Sequence, residues 1–474
     1  MSRSRRLSWS VPMAIFAVVA IAGTAWAAVS FADFPPSHGI IKPWTWDNGD
    51  PAIGGGSNGN LSAILVSDTV GTACFGGNTG PQLQVLYSKV ASGGTQWSPP
   101  KRISGNYEAD RGTLVTNGSN VFAAWSSQQH YYTGTTTHCD PNATYAFNVN
   151  EPRINYFRRS TDNGATWGAP FKLPGQGATF RGDYMYMASS GSNVYIATTN
   201  VANGDILLWV STNSGVSFAN PVKVGSTTNV DNTPGQTGGL CPCGYTGGKT
   251  GLPAVATNGS AVGVAYTATG SGAEKIAICN SAGGACNTTQ VAGSGANANY
   301  GYSQAAGDST RMVFTWTTPA GAFSDVWTGG TGGSFGGAKT ITTFPDANFA
   351  GQACASSTTA CNQAGTGAIP VLIGSQGIGV SLTECNTVSG VSCDESQNLQ
   401  KSREILVWYE SSNNGGSYGT HALIKTATGS NKNPSWMSEY GSVTNVGGTI
   451  YVLWNGHDDG YGSYDVEVKK CTGC

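Results

Sequence analysis

Charged residues make up only 11% of this chain, so the places where arginine, acid and tyrosine gather are informative. Four short stretches gather them, each just ahead of an apolar hairpin. NYEADR holds Tyr107, Glu108, Asp110 and Arg111, and FRGDYMY holds Arg181, Asp183 and Tyr184. WMSEYG holds Trp436, Glu439 and Tyr440, and NYGYS adds Tyr300 and Tyr302. The planar fork of arginine grips a carboxylate through two parallel hydrogen bonds. A tyrosine next to a glutamate is a nucleophile with its base, and an aspartate supplies an acid. Tyrosine and tryptophan rings suit stacking on sugars. The plainer alternative holds for each of these side chains: they satisfy loop backbones or pair with one another.

The elements that position these stretches repeat along the chain. The first is a hairpin with a small polar turn, followed by an apolar strand that often ends in an aromatic. It recurs as TLVTNGSNVFAAW, MASSGSNVYIATT, AVATNGSAVGVAY, QAAGDSTRMVFTW, VLIGSQGIGVSLT and SVTNVGGTIYVLW. Asn-Gly and Ser-Gly turns reach positive φ at little cost. The nearly continuous apolar runs predict strands buried on both faces. The second element is an eight-residue box, STDNGATW at 160–167, with relatives STNSGVSF, CNSAGGAC, TGGTGGSF and SSNNGGSY and the longer SKVASGGTQW. Each box precedes a short strand. Hairpin, third strand, box and fourth strand make a four-stranded antiparallel unit, which buries its faces only against copies of itself. A ring of such units is a β-propeller. Six boxes predict six blades, or seven if the last hairpin, which is followed by YDVEVKK and no box, makes its own.

STDNGATW resembles the Asp-box, or BNR, repeat of the sialidase-type propellers at every fixed position of S-x-D-x-G-x-T-W. The likeness runs over roughly residues 58 to 474. It implies an all-β propeller in which Ser160, Asp162, Gly164 and Trp167 are structural, at the blade periphery and away from the active face. Ser160 and Asp162 fix the turn through backbone N–H groups, Gly164 permits a left-handed conformation, and Trp167 tucks between strands. The family holds a substrate carboxylate with three arginines and attacks with a tyrosine helped by a glutamate, an aspartate serving as acid and base. A neutral nucleophile suits an anionic anomeric centre. On that pattern Arg111 and Arg181 are two of the arginines, Asp110 or Asp183 the acid, and Tyr440 with Glu439 the nucleophile pair, although strand neighbours point to opposite faces. Tyr107, Tyr184 and Tyr302 then bind substrate. Gly-Thr follows Arg111 where the family has Ile-Pro. No third arginine fits: Arg311 lies inside a hairpin, Arg153 and Arg403 lie on third strands, and Lys249 is a partial substitute.

The resemblance implies a sialidase-like propeller that acts on glycans, by exo-sialidase-type hydrolysis at the central funnel. A non-catalytic extracellular propeller that binds glycan or a cell-surface protein stands beside it, as does a structural surface component. Bulk features bear on all three. Gly is 68 of 474 residues, which favours turns and short strands over helices. The first 27 residues read as a signal peptide: basic MSRSRR, apolar VPMAIFAVVAIA and small AWA. Residues 28–57 read as an extended lead-in, and 58–474 as the propeller. Loss of Arg3, Arg5 and Arg6 turns 24 basic residues into 21 against 26 acidic ones, a net of about −5, which argues against nucleic acid. Secretion, or display at the cell surface (the periplasm in a Gram-negative source), is expected, with no membrane insertion after cleavage. Twelve cysteines fit disulfides in an oxidising compartment. Proximity suggests Cys279 with Cys286, Cys354 with Cys361, Cys385 with Cys393 and Cys471 with Cys474. No metal site or cofactor is expected: the histidines lack ligand spacing, and HDDGYGSYD fits no EF-hand loop.

Overall fold

The computed structural model describes residues 29–34, 48–56, 58–67, 84–105, 108–128, 153–227, 253–268, 273–290, 303–318, 320–349, 363–364, 368–386, 403–426, 437–457 and 464–474. These residues form seven antiparallel sheets. In chain order the innermost strands are Asn48–Gly55, Glu108–Asn117, Gly182–Ser190, Ala254–Thr257, Gln304–Gly307, Ile369–Ile373 and Met437–Val446. Each packs against the next, and the last packs against the first, so the seven sheets close into a ring. The chain is a seven-bladed propeller.

The boxes number six because the seventh blade needs none. Its first three strands are Met437–Val446, Thr449–His457 and Tyr464–Thr472, and its fourth is Ser30–Asp33 from the other end of the chain. Ser30 pairs with Thr472 and Asp33 with Lys469. A turn from third to fourth strand does not exist there, so no box marks it. The first blade escapes the hairpin count for another reason. Its inner strand, Asn48–Gly55, falls inside the stretch read as a lead-in, so the propeller begins before residue 58.

The second strand of each blade is the apolar run seen in the sequence. Val121 to Trp125 are all buried, as are Met312 to Phe314 with Trp316, and Val452 to Trp454. A strand covered by neighbouring blades on both faces has no polar side to keep wet. Trp125, Trp316 and Trp454 are among the largest fully buried side chains. An aromatic of this size buries roughly 150–250 Å², worth on the order of 3–5 kcal/mol relative to exposure.

Each box is a clasp to the blade before it. The Ser160 hydroxyl accepts the Gly164 N–H at 2.8 Å and donates to Asp162 Oδ1 at 2.7 Å. Asp162 in turn accepts the Thr166 N–H at 2.8 Å and the Thr166 hydroxyl at 2.6 Å. Asn163 and Gly164 have φ of 56° and 74°. A Cβ on Gly164 would sit 2.0 Å from the Tyr87 hydroxyl oxygen of the preceding blade. Trp167 packs edge-on to Tyr87 at 5.0 Å. The same turn forms at Ser211–Asn213–Gly215 and at Ser411–Asn413–Gly415. In CNSAGGAC the ends are joined instead by a disulfide between Cys279 and Cys286. Cys471 and Cys474 are also joined; the other cysteine pairs lie outside the described residues or reach only their backbone.

Candidate functional site

The seven inner strands surround a tunnel of about 510 Å³. Among the described residues its wall is nearly free of charge. Among the described residues Asp308 is the one carboxylate lining it, and it accepts the Thr310 and Arg311 N–H groups and the Thr310 hydroxyl, at 2.7 to 3.0 Å. The wall polar groups tie strand to strand. The Thr116 hydroxyl donates to Gly55 O at 2.6 Å, and the Ser442 hydroxyl accepts the Ile53 N–H at 3.1 Å. Asn445 donates to Leu372 O at 3.0 Å. Gln304 of blade five donates to the Tyr186 hydroxyl of blade three at 3.3 Å. That bond passes over blade four, whose inner strand offers only AVAT. Inner strands are sheet edges, and such bonds satisfy part of the backbone they would otherwise leave open.

The chemistry gathers at the leading ends of the inner strands. Four adjacent blades carry a register shift there: between Met437 and Gly441 in blade seven, Gly49 and Ala52 in blade one, Asp110 and Thr113 in blade two, and Asp183 and Tyr186 in blade three. Blades four and five have inner strands of four residues in unbroken register. Bulges re-aim side chains and are common beside active sites. Here they produce an asymmetric rim, with a bulged arc on one side of the tunnel.

Most of the sequence-derived candidates fall on this arc. Arg111 lies within the bulge of blade two and Asp110 at its edge; Tyr184 lies within that of blade three and Asp183 at its edge. Glu439 and Tyr440 lie within the wider shift of blade seven. For these six residues the description stops at the backbone. The alternation that would send Glu439 and Tyr440 to opposite faces does not run through a bulge. Tyr107 and Tyr302 lie outside the described residues.

Arg181 is placed with its side chain. Its N–H donates to Asn200 Oδ1 at 3.1 Å and its carbonyl accepts the Val201 N–H at 2.9 Å, which anchors the backbone. Its Nε is buried and meets no acceptor. A buried donor left open is uncommon and calls for an explanation. Arg311, which sequence places inside a hairpin, goes elsewhere. Arg311 is 2% exposed and donates to Gly374 O at 3.1 Å and Gly377 O at 2.9 Å on the hairpin side of blade six.

Two residues of the tunnel and one of the arc were not singled out by sequence reading. Tyr186, the first paired residue after the blade-three bulge, and Gln304 span the tunnel wall. Asp50 sits in the blade-one bulge beside Pro51. A proline within a strand confines it to an edge or bulge, and that was the available signal. Behind the wall, Glu274 is 1% exposed. Burial pushes its carboxyl up to about 8, against the Ser303 hydroxyl, which holds it down.

The boxes occupy the opposite face. Asn163 N–H donates to Ser119 O, Ser214 N–H to Ser192 O and Asn414 N–H to Gln376 O, at 2.7 to 2.8 Å. Each acceptor is at the hairpin tip of the same blade, far from the leading end. Asp162 is held well below the ordinary carboxylate range by the Thr166 hydroxyl, then by the Thr166 N–H and the Ser160 hydroxyl. It is a turn residue.

No protein-family model matches the chain, and no curated protein does. Among solved structures, the chain is similar to a protein of unknown function from Dyadobacter fermentans, at 12% identity over 94% of this chain and 99% of that one, TM-score 0.49. It is similar to the Trypanosoma rangeli sialidase at 11% identity over 93% of this chain and 57% of that one, TM-score 0.44. It is similar to the intramolecular trans-sialidase from Ruminococcus gnavus at 10% identity over 91% of this chain and 95% of that one, TM-score 0.44.

Proposed function

We propose that this seven-bladed propeller is an extracellular protein that acts on glycans at the rim formed by blades seven, one, two and three, and that its chemistry is sialidase-type hydrolysis of an acidic sugar. The observation that carries the reading is the arc itself. Bulges in four adjacent blades put Glu439–Tyr440, Asp50, Asp110–Arg111 and Asp183–Tyr184 at one side of one tunnel mouth. Arg181, one residue ahead of the same arc, keeps a buried Nε without an acceptor. A ligand carboxylate supplies what that donor lacks.

In this reading Arg111 and Arg181 hold the sugar carboxylate. Asp110 or Asp183 gives a proton to the leaving glycosidic oxygen. The Tyr440 oxygen attacks the anomeric carbon while Glu439 takes its proton, and water later displaces the tyrosine with the acid now acting as base. The test is turnover of a fluorogenic α-sialoside by the purified mature chain beside Arg111→Ala. Loss of about 10²-fold or more in kcat/KM is expected for the variant, as for removal of a charged substrate contact. Equal turnover by both proteins overturns the arginine assignment.

A second reading is binding without catalysis. It is favoured by the neutral, hydroxyl-bearing tunnel wall and by two arginines where the resemblance implies three. It predicts saturable glycan binding, weakened by Arg181→Ala, with no product released. A glycan or a cell-surface protein is the partner in this reading, and secretion or surface display is its setting.

A further inference from the structure

The segment that leaves the outer strand of blade five, Lys339–Thr343, carries Asp346 into blade six. Asp346 and Glu384 are both 0% exposed, and Tyr409 is 2% exposed. Glu384 lies on the second strand of blade six, Gly377–Asn386, and Tyr409 on the third, Arg403–Ser411. The Tyr409 hydroxyl donates to Asp346 Oδ2, and the Asn348 N–H donates to Oδ1 at 2.8 Å. Thr342 Oγ1, on the outer strand of blade five, lies 3.3 Å from the same phenol oxygen. Glu384 reaches the Asp346 carboxyl at hydrogen-bonding range. Neither Glu384 oxygen meets a donor.

Two buried carboxylates in contact, with no donor between them, cannot both be bare anions. A proton or a metal cation must lie between them. The donor set decides. Both Asp346 oxygens already accept hydrogen bonds, so the two Glu384 oxygens are the open ligands among the described residues. Calcium takes six to eight oxygens and magnesium about six. We propose that Glu384 and Asp346 share one proton, and that this acid–carboxylate pair is an acid-dependent clasp joining blade five to blade six.

The assignment within the pair follows from the donors. Asp346 receives an O–H and an N–H and is the carboxylate; Glu384 receives neither and keeps the proton. Burial first, and then the Asp346 carboxyl, push Glu384 well above the ordinary carboxylate range. Among the described residues the other titratable groups packed here are Tyr409, raised by burial and by Glu384, and His421, whose ring lies 5.6 Å from Phe349 and 6.3 Å from Tyr409. The sign is that of a raised acid. The clasp is complete below the unfolded-state value of about 4.3 and is lost as pH rises through the folded value.

The experiment compares thermal unfolding of the mature chain with Glu384→Gln and Asp346→Asn, between about pH 5 and pH 8. Glutamine has the shape of the protonated acid and donates to Asp346 without titrating. The gap in Tm between Glu384→Gln and the wild type is expected to widen by several degrees as pH rises, in favour of the variant. Asp346→Asn removes the like charge and lowers the folded value of Glu384, so its decline with pH is expected to be smaller than in the wild type and to level off at a lower pH. A gap that does not change with pH overturns the shared proton. So does a calcium-dependent rise of the wild-type Tm at the upper pH that Glu384→Gln abolishes, which would make the bridging group a cation.

Discussion

The most telling single residue outside the rim is Asp162, because its chemistry is spent on its own turn. Two related boxes use Asn213 and Asn413 at the same position, with the same bonds to the serine hydroxyl and to the residue four on. Asp162→Asn is therefore expected to cost little at neutral pH. Asp162→Ala should lose about 1 kcal/mol, the usual worth of a side chain that caps backbone N–H groups, measured by denaturant unfolding. Its pH behaviour has the opposite sign to that of the clasp. The folded value is depressed, so the contribution stands above the unfolded value of about 3.9 and fades as pH falls below it. Glu274 sits on the other side of this contrast. Its folded value of about 8 means that its neutral form belongs to the native state. Glu274→Gln should raise stability on the order of 3 kcal/mol near pH 8 and change it little near pH 4. Urea melts at the two pH values check this.

At the scale of the element, the boxes and hairpins act between blades rather than within them. Lys89 and Tyr87 of blade one donate to Asn163 O of blade two at 3.0 and 3.2 Å, and Arg159 of blade two donates to Ser214 O of blade three at 3.0 Å. Arg311 performs the same service between blades five and six, where it also donates to Asn414 Oδ1. Removing it takes the donors from the Gly374 and Gly377 carbonyls of blade six and leaves Asp308 with one partner fewer. Arg311→Ala should cost about 3 kcal/mol, with Arg311→Lys recovering only part, since a single ammonium cannot reach acceptors spread across a fork. The bulges are the other inter-blade device. They lengthen the leading ends of four inner strands, and the arc of candidate residues exists because those four blades are neighbours in the ring.

For the whole molecule, closure is the decisive fact. The last blade is completed by Ser30–Asp33, where Phe31 packs on Trp408 at 5.5 Å and Phe34 on Tyr451 at 5.2 Å. Without that strand the outer edge of Tyr464–Thr472 is open, and open edges invite association. A mature chain that begins after residue 34 should unfold several degrees lower and aggregate on heating, as read by scattering during a melt. Phe31→Ala alone should cost about 1–2 kcal/mol, because the ring is partly exposed.

Features that depend on a few consecutive residues could be read from the chain alone. The box turn closes through bonds between residues two and four apart, so STDNGATW announces its shape wherever it lies. Each apolar run announces a strand covered on both sides, and their alternation announces the four-stranded unit. The candidates Arg111, Asp183 and Tyr440 were legible because they stand out against a chain poor in charge. Tertiary structure decided what depends on distant residues. The seventh blade needs Ser30 beside Thr472, a pairing that no local pattern encodes. The rim became an arc because bulges are defined by the partner strand, and the inner strand of blade one hid in a stretch without a box. The Asp346–Glu384–Tyr409 cluster draws on two blades, and each residue alone reads as an ordinary polar side chain. Burial creates the shared proton, and burial is a property of the assembled ring.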